Sequence, residues 1–176
     1  MNNEYNQYII IIKRICEKTE MGKKMLQKLL YLIERKGVEL NLNYSIHFFG
    51  PYSAKLDELI HLFESEDIIE IDTSGVTHKI NISKNIPVEY EETINHYEFS
   101  SNDKEKVNFV LENFINRSAF ELEAITTLDY VATVMSNKAQ SDSQVIEEVK
   151  KIKGSKFKED FLKQQLAFLK KCGYVS

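Results

Sequence analysis

Apolar residues recur at spacings of three and four along most of the chain. Between residues 5 and 18, Tyr8, Ile11, Ile12 and Ile15 fall on one face of a helix. Thr19 to Gly22 interrupts the pattern. Residues 23–36 (KKMLQKLLYLIERK) resume it as a broad stripe of Met25, Leu26, Leu29, Leu30 and Ile33, and Gly37 is a natural stop. The period then changes to two. Val38, Leu40, Leu42, Tyr44, Ile46 and Phe48 share one phase, which predicts an extended segment or a short strand over 38–49. Gly50-Pro51 ends it. Pro51 or Ser53 opens the next helix, which runs to about Glu66 with Leu56, Leu59, Ile60, Leu62 and Phe63 as its apolar residues. Ile68 to Ile71 and Thr77 to Ile82, around Ser74-Gly75, predict a β-hairpin.

Residues 84–100 are polar and irregular, with a short helix expected around Tyr90–His96. Helical spacing returns over 103–116, where Val107, Val110, Leu111 and Phe114 share a face. Ser118 and Glu121 form a capping-box pattern that opens a helix to about Met135. Ser141 and Gln144 repeat the logic for 142–153, which Gly154 ends, and a last helix spans about 157–171. Helix, helix, extended segment, helix, hairpin is the element order of a winged helix. The predicted fold class is therefore α+β and mainly helical. A winged-helix-like N-terminal part with a short β-hairpin occupies 1–83, a connector 84–100, and a C-terminal helical bundle 101–176. That bundle packs on the first part or merges with it into one compact domain.

Composition agrees with a globular chain that has a real core. Of 176 residues, 43% are hydrophobic and 28% charged, and Gly (6) and Pro (2) are too scarce to interrupt long helices. The net charge of −4 lacks the basic excess on which non-specific phosphate binding depends. The apolar run Ile9 to Ile12 is too short to span a bilayer, and Asn2, Asn3 and Glu4 before it are not the cationic start of a secretory signal. Cys16 and Cys172 show no metal-type spacing, and two thiols in a reducing cytoplasm are the expectation.

Catalytic patterns are missing. The chain has no G-x-S-x-G, no P-loop and no G-x-G-x-x-G, and no two of His47, His61, His78 and His96 stand at metal-binding spacing. No metal and no cofactor is expected. Lys23, Lys24, Lys28, Arg35 and Lys36 form the best basic patch, read either as a contact surface or as the solvated face of an amphipathic helix. The element that would read DNA in a winged helix carries Lys55 against Asp57, Glu58, Glu64, Glu66 and Asp67, and such a helix repels phosphate at contact range. Between them lies Tyr44 to Ser53 (YSIHFFGPYS). Its aromatics are either core residues or exposed anchors held at a rigid Gly-Pro corner.

The stretch Lys24 to Leu32 (KMLQKLLYL), the F-G-P-Y-S turn, the Leu-rich helix and the Ile-rich hairpin resemble the YwgA-like proteins of bacteria. Those are similar in turn to the SocA/Panacea domain. Phe120 to Thr127 (FELEAITT) resembles the F-E-L-E helix of the YwgA-like chains, and Val149 to Phe157 resembles their V-x-x-x-K-x-x-K-F segment. The resemblance implies a module that acts through protein contacts, as antitoxin domains do, with a toxin or a protease-linked factor as partner.

The resulting expectation is a cytoplasmic, non-enzymatic protein-interaction module, antitoxin-like or an adaptor. Its candidate contact residues are Phe49, Gly50, Pro51, Tyr52 and Ser53, with Lys24, Gln27, Lys28 and Tyr31. The oligomeric state is open and a homodimer is allowed. The alternative is a winged-helix DNA-binding transcription regulator.

Overall fold

A computed structural model describes residues 3–76, 78–136 and 138–176. In chain order the elements are α1 (Asn3–Cys16), α2 (Lys23–Arg35), β1 (Ser45–His47), β2 (Gly50–Tyr52), α3 (Ala54–Ser65), β3 (Ile69–Asp72), β4 (Lys79–Ile82), α4 (Val88–His96), α5 (Ser101–Phe114), α6 (Ala119–Tyr130), α7 (Asp142–Lys153) and α8 (Glu159–Lys171). The described chain is mainly helical, with two small antiparallel hairpins. Contacts cluster into two units. One comprises residues 1–43 and 53–116, and the other 44–52 and 117–176.

In the first unit α2 packs on α5, α1 on α4 and β4, and α3 on β3. The apolar stripe of α2 is fully buried at Leu26, Leu29, Leu30 and Ile33. Burying each such side chain contributes about 1.5–3 kcal/mol before the cost of ordering it. The hairpin pairs Ile69 with Ile82 and Ile71 with Ile80. Met21, between α1 and α2, adds one more antiparallel rung, with the Ile80 amide donating to its carbonyl at 2.8 Å. Thr77, part of the expected second strand, lies outside the described residues.

The period-two stretch before Gly50 divides in two. Val38, Leu40 and Leu42 are buried, yet residues 38–43 join no ladder. Asn41 and Asn43 both sit at φ 52°, the left-handed region that Asn tolerates better than most residues. Side chains satisfy this backbone instead of a neighbouring strand. The Leu42 amide donates to Glu34 Oε2 at 3.0 Å, and the Leu40 carbonyl accepts the Tyr8 hydroxyl. Regular pairing starts only at Ser45.

In the second unit α6 packs on α8, α7 and β2. Both expected capping boxes are present, at Ser118 with Glu121 and at Ser141 with Gln144. The sixth helix stops being regular at Tyr130 and continues as a π-helical turn over Val131–Met135. Thr126, Thr127 and Thr133 turn their hydroxyls back onto the carbonyls four residues earlier. Such bonds compete with the helical ladder and bend it.

Candidate functional site

In the first unit, the α2 motif and the start of α3 form a closed polar lock. The Gln27 side-chain amide donates to the Ser53 carbonyl at 2.9 Å and accepts from the Ser53 amide at 2.9 Å, so one glutamine copies a rung of backbone pairing. The Ser53 hydroxyl donates to the Leu42 carbonyl and caps α3 by accepting from the Leu56 amide at 3.0 Å. Gln27 and Ser53 are both buried. Buried polar atoms left without partners cost about 1–3 kcal/mol each, and here each finds one. The lock therefore fixes the fold and offers nothing to solvent.

The second unit holds the hairpin β1–β2. Its register pairs His47 with Gly50, which leaves Phe48 and Phe49 as the two turn residues. Two-residue turns are normally filled by Asn, Asp or Gly. Here the two rings stand edge to face at 5.0 Å, with Phe48 77% exposed and Phe49 42% exposed. Gly50 follows at φ 87°, a conformation that few other residues adopt without strain.

An ionic cluster holds the tip from behind. Glu123 on α6 is nearly buried. Its Oε1 lies 3.0 Å from Lys153 Nζ, and Lys156 Nζ reaches both carboxylate oxygens at 2.7 and 2.8 Å. The Lys153 ammonium also donates to the Phe48 carbonyl. The Lys156 ammonium stands 5.5 Å from the Phe49 ring centre and 5.7 Å from that of Phe157. Burial raises the Glu123 carboxyl and the two ammoniums outweigh it, leaving it below its usual value. Lys153 is held below its usual value, because burial outweighs its share of Glu123. Both values move down, because the carboxylate has two cations, while each cation shares one carboxylate and burial prevails at Lys153. Next to the cluster, the Phe120 ring, 46% exposed, meets Phe157 at 4.8 Å and Phe161 at 5.4 Å.

The family described as antitoxin SocA-like, Panacea domain, matches residues 26–130, which contain the lock, the tip and Glu123. The chain belongs to this family. No curated protein matches it. In this Panacea-domain chain, the expected contact residues separate by burial. Gln27, Lys28, Tyr31, Gly50, Pro51 and Ser53 are buried, Tyr52 is half-buried, and Lys24 and Phe49 are exposed. Phe48, Glu123, Lys153 and Lys156 were absent from the expected set. The last three lay inside the two segments that carried the family resemblance, and that was their only signal.

The expected basic face of α2 is not one surface. Lys23 lies 3.8 Å from Asp57, Lys28 is buried, and Lys36 stands 4.4 Å over the Phe109 ring. On α3, Glu58 and Glu64 face solvent. Glu66, just past it, accepts the Tyr90 hydroxyl. Burial pushes the Cys16 thiol up to about 11, so it stays protonated at neutral pH. Neither cysteine forms a disulfide. Among the described residues no group of three His, Cys, Asp or Glu side chains could hold a metal ion, and no helix is long and apolar enough to cross a membrane.

Proposed function

We propose that this chain is a non-catalytic protein-interaction module, an antitoxin or an adaptor, working in the cytoplasm, and that its contact surface is the Phe48–Phe49 tip. One observation carries the reading. Two phenylalanines fill a two-residue turn, exposed to solvent, on a hairpin whose Phe48 carbonyl accepts from Lys153 of an ionic cluster. A large aromatic group presented in one fixed position is the kind of anchor that dominates protein interfaces, since little entropy is lost when it docks. Membership of the SocA-like antitoxin family supports a polypeptide partner such as a toxin.

A photo-crosslinking residue placed at position 48 tests this in the source cell. The expected result is a covalent adduct with one protein, in a yield well above that from the same residue at exposed Glu147. Equal yields at the two positions would contradict the proposal.

The second reading is a winged-helix DNA binder. What favours it is the Met21 rung against β4, because a short strand between the first two helices is the third strand of a winged helix. What opposes it is the acidic solvent face of α3. The first unit as a whole has 13 Lys and Arg against 19 Asp and Glu. Gel-shift titration at low salt decides the matter. A shift that weakens steeply as salt rises would establish phosphate contacts, and the absence of any shift would end this reading.

A further inference from the structure

We propose that the tip surface takes an extended segment of a partner polypeptide in which a carboxylate side chain is flanked on both sides by apolar ones; this rests on the tip being the contact surface. The first ground is charge. Glu123 supplies one carboxylate to two ammoniums, so the cluster keeps a surplus of one positive charge. The Lys153 side chain is 3% exposed and is spent on Glu123 and the Phe48 carbonyl. The Lys156 side chain is 31% exposed, so Lys156 is the more accessible of the two cations.

Two of the neighbouring lysines do not enlarge that charge. Lys150 pairs with Glu159 at 3.2 Å and Lys151 with Glu148 at 2.9 Å. A polyanion draws its affinity from neutralising several phosphates at once. The Lys156 ammonium suits a single carboxylate.

The second ground is the order of groups on the surface. The Lys156 ammonium stands 5.5 Å from Phe49, which packs on Phe48, and 5.7 Å from Phe157, which packs on the half-exposed Phe120. The cation thus borders two aromatic pairs. A complementary segment reads apolar, acidic, apolar. A peptide that places its carboxylate on the Lys156 ammonium brings the residues on either side of it near these rings.

Fluorescence anisotropy on the full chain tests this with three labelled peptides that differ at one place. Each has a Leu-Phe pair on either side of a central residue, which is Glu, Gln or Lys. The Glu peptide is expected to bind at least tenfold more tightly than the Gln peptide, with the Lys peptide weaker still. Lys156→Gln should erase the preference for Glu, Phe48→Ala should weaken all three, and Lys104→Gln in the other unit should change nothing. Thermal midpoints of the variants confirm that each is folded. Equal binding of the three peptides, all lost in Phe48→Ala, would overturn the acidic specificity and leave the tip as a contact surface. Binding that Phe48→Ala leaves intact would overturn both. No binding of any peptide would overturn the specificity, while crosslinking at position 48 would still judge the tip.

Discussion

Ser53 and Phe48 come from one short stretch of chain and do opposite work. At Ser53 every polar atom is buried and answered by Gln27, Leu42 or Leu56. At Phe48 a large apolar ring stands in water. The first arrangement is explained by folding alone, since it satisfies backbone groups that would otherwise be orphaned. The second is not explained by folding, since burying the ring would have been favourable by about 1.5–3 kcal/mol. A motif can thus spend one half on architecture and leave the other half available for recognition.

Glu123→Ala should cause the largest loss of stability. It leaves two ammoniums beside each other, one of them almost fully buried. Breaking a buried ion pair from one side costs about 3–5 kcal/mol, and the partial exposure of Lys156 places this case at the low end. Urea denaturation checks it. The tip should loosen as well, because Lys153 loses the group that aims it at the Phe48 carbonyl.

Gln27→Ala should come next, at about 2 kcal/mol, because it orphans the Ser53 amide and carbonyl together. Crosslinking from position 48 should survive in the folded fraction. Loss of both at once would blur the division between lock and tip.

Gly154→Ala should cost about 1 kcal/mol. Gly154 sits at φ 59° and ψ −134°, a region that residues with a Cβ avoid, although open space surrounds the site. The strain is therefore conformational and not steric crowding. Its turn joins Lys153 to Lys156, so the effect should fall on the cluster.

Acid should reproduce part of the Glu123 effect. The folded carboxyl lies below its usual value near 4.5. Its contribution is therefore complete above that value and is lost as pH falls through the lower folded value. The stability gap between the wild-type chain and Glu123→Gln should narrow on acidification, in urea titrations run at neutral pH and again well below 4.5. A gap that widens in acid would contradict the ion-pair account.

Much of the secondary structure was legible because its signals are local. The boxes at Ser118 and Ser141 join residues three apart, and the α2 stripe repeats within one helix. The period-two run misled at one point. It placed Phe48 in phase with Leu40 and Leu42, and the left-handed Asn41 and Asn43 break that phase before the hairpin begins. The connector over 84–100 holds the short helix expected around Tyr90–His96, which begins two residues earlier, at Val88. The candidate site was harder to read. Gln27 meets Ser53 across 26 residues, and Glu123 meets Lys153 and Lys156 across 30 and 33. Periodicity carries no information at such separations.

The exposed rings should matter least to stability and most to binding. Truncating both, as Phe48→Ala with Phe49→Ala, should shift stability by no more than about 0.5 kcal/mol, the ordinary range for surface changes. The decisive measurement is co-purification of the bound protein with this double variant from the source cell, beside its thermal midpoint. The account predicts a midpoint close to that of the wild-type chain and a bound protein reduced at least tenfold. A partner recovered in undiminished amount on the folded double variant would contradict it.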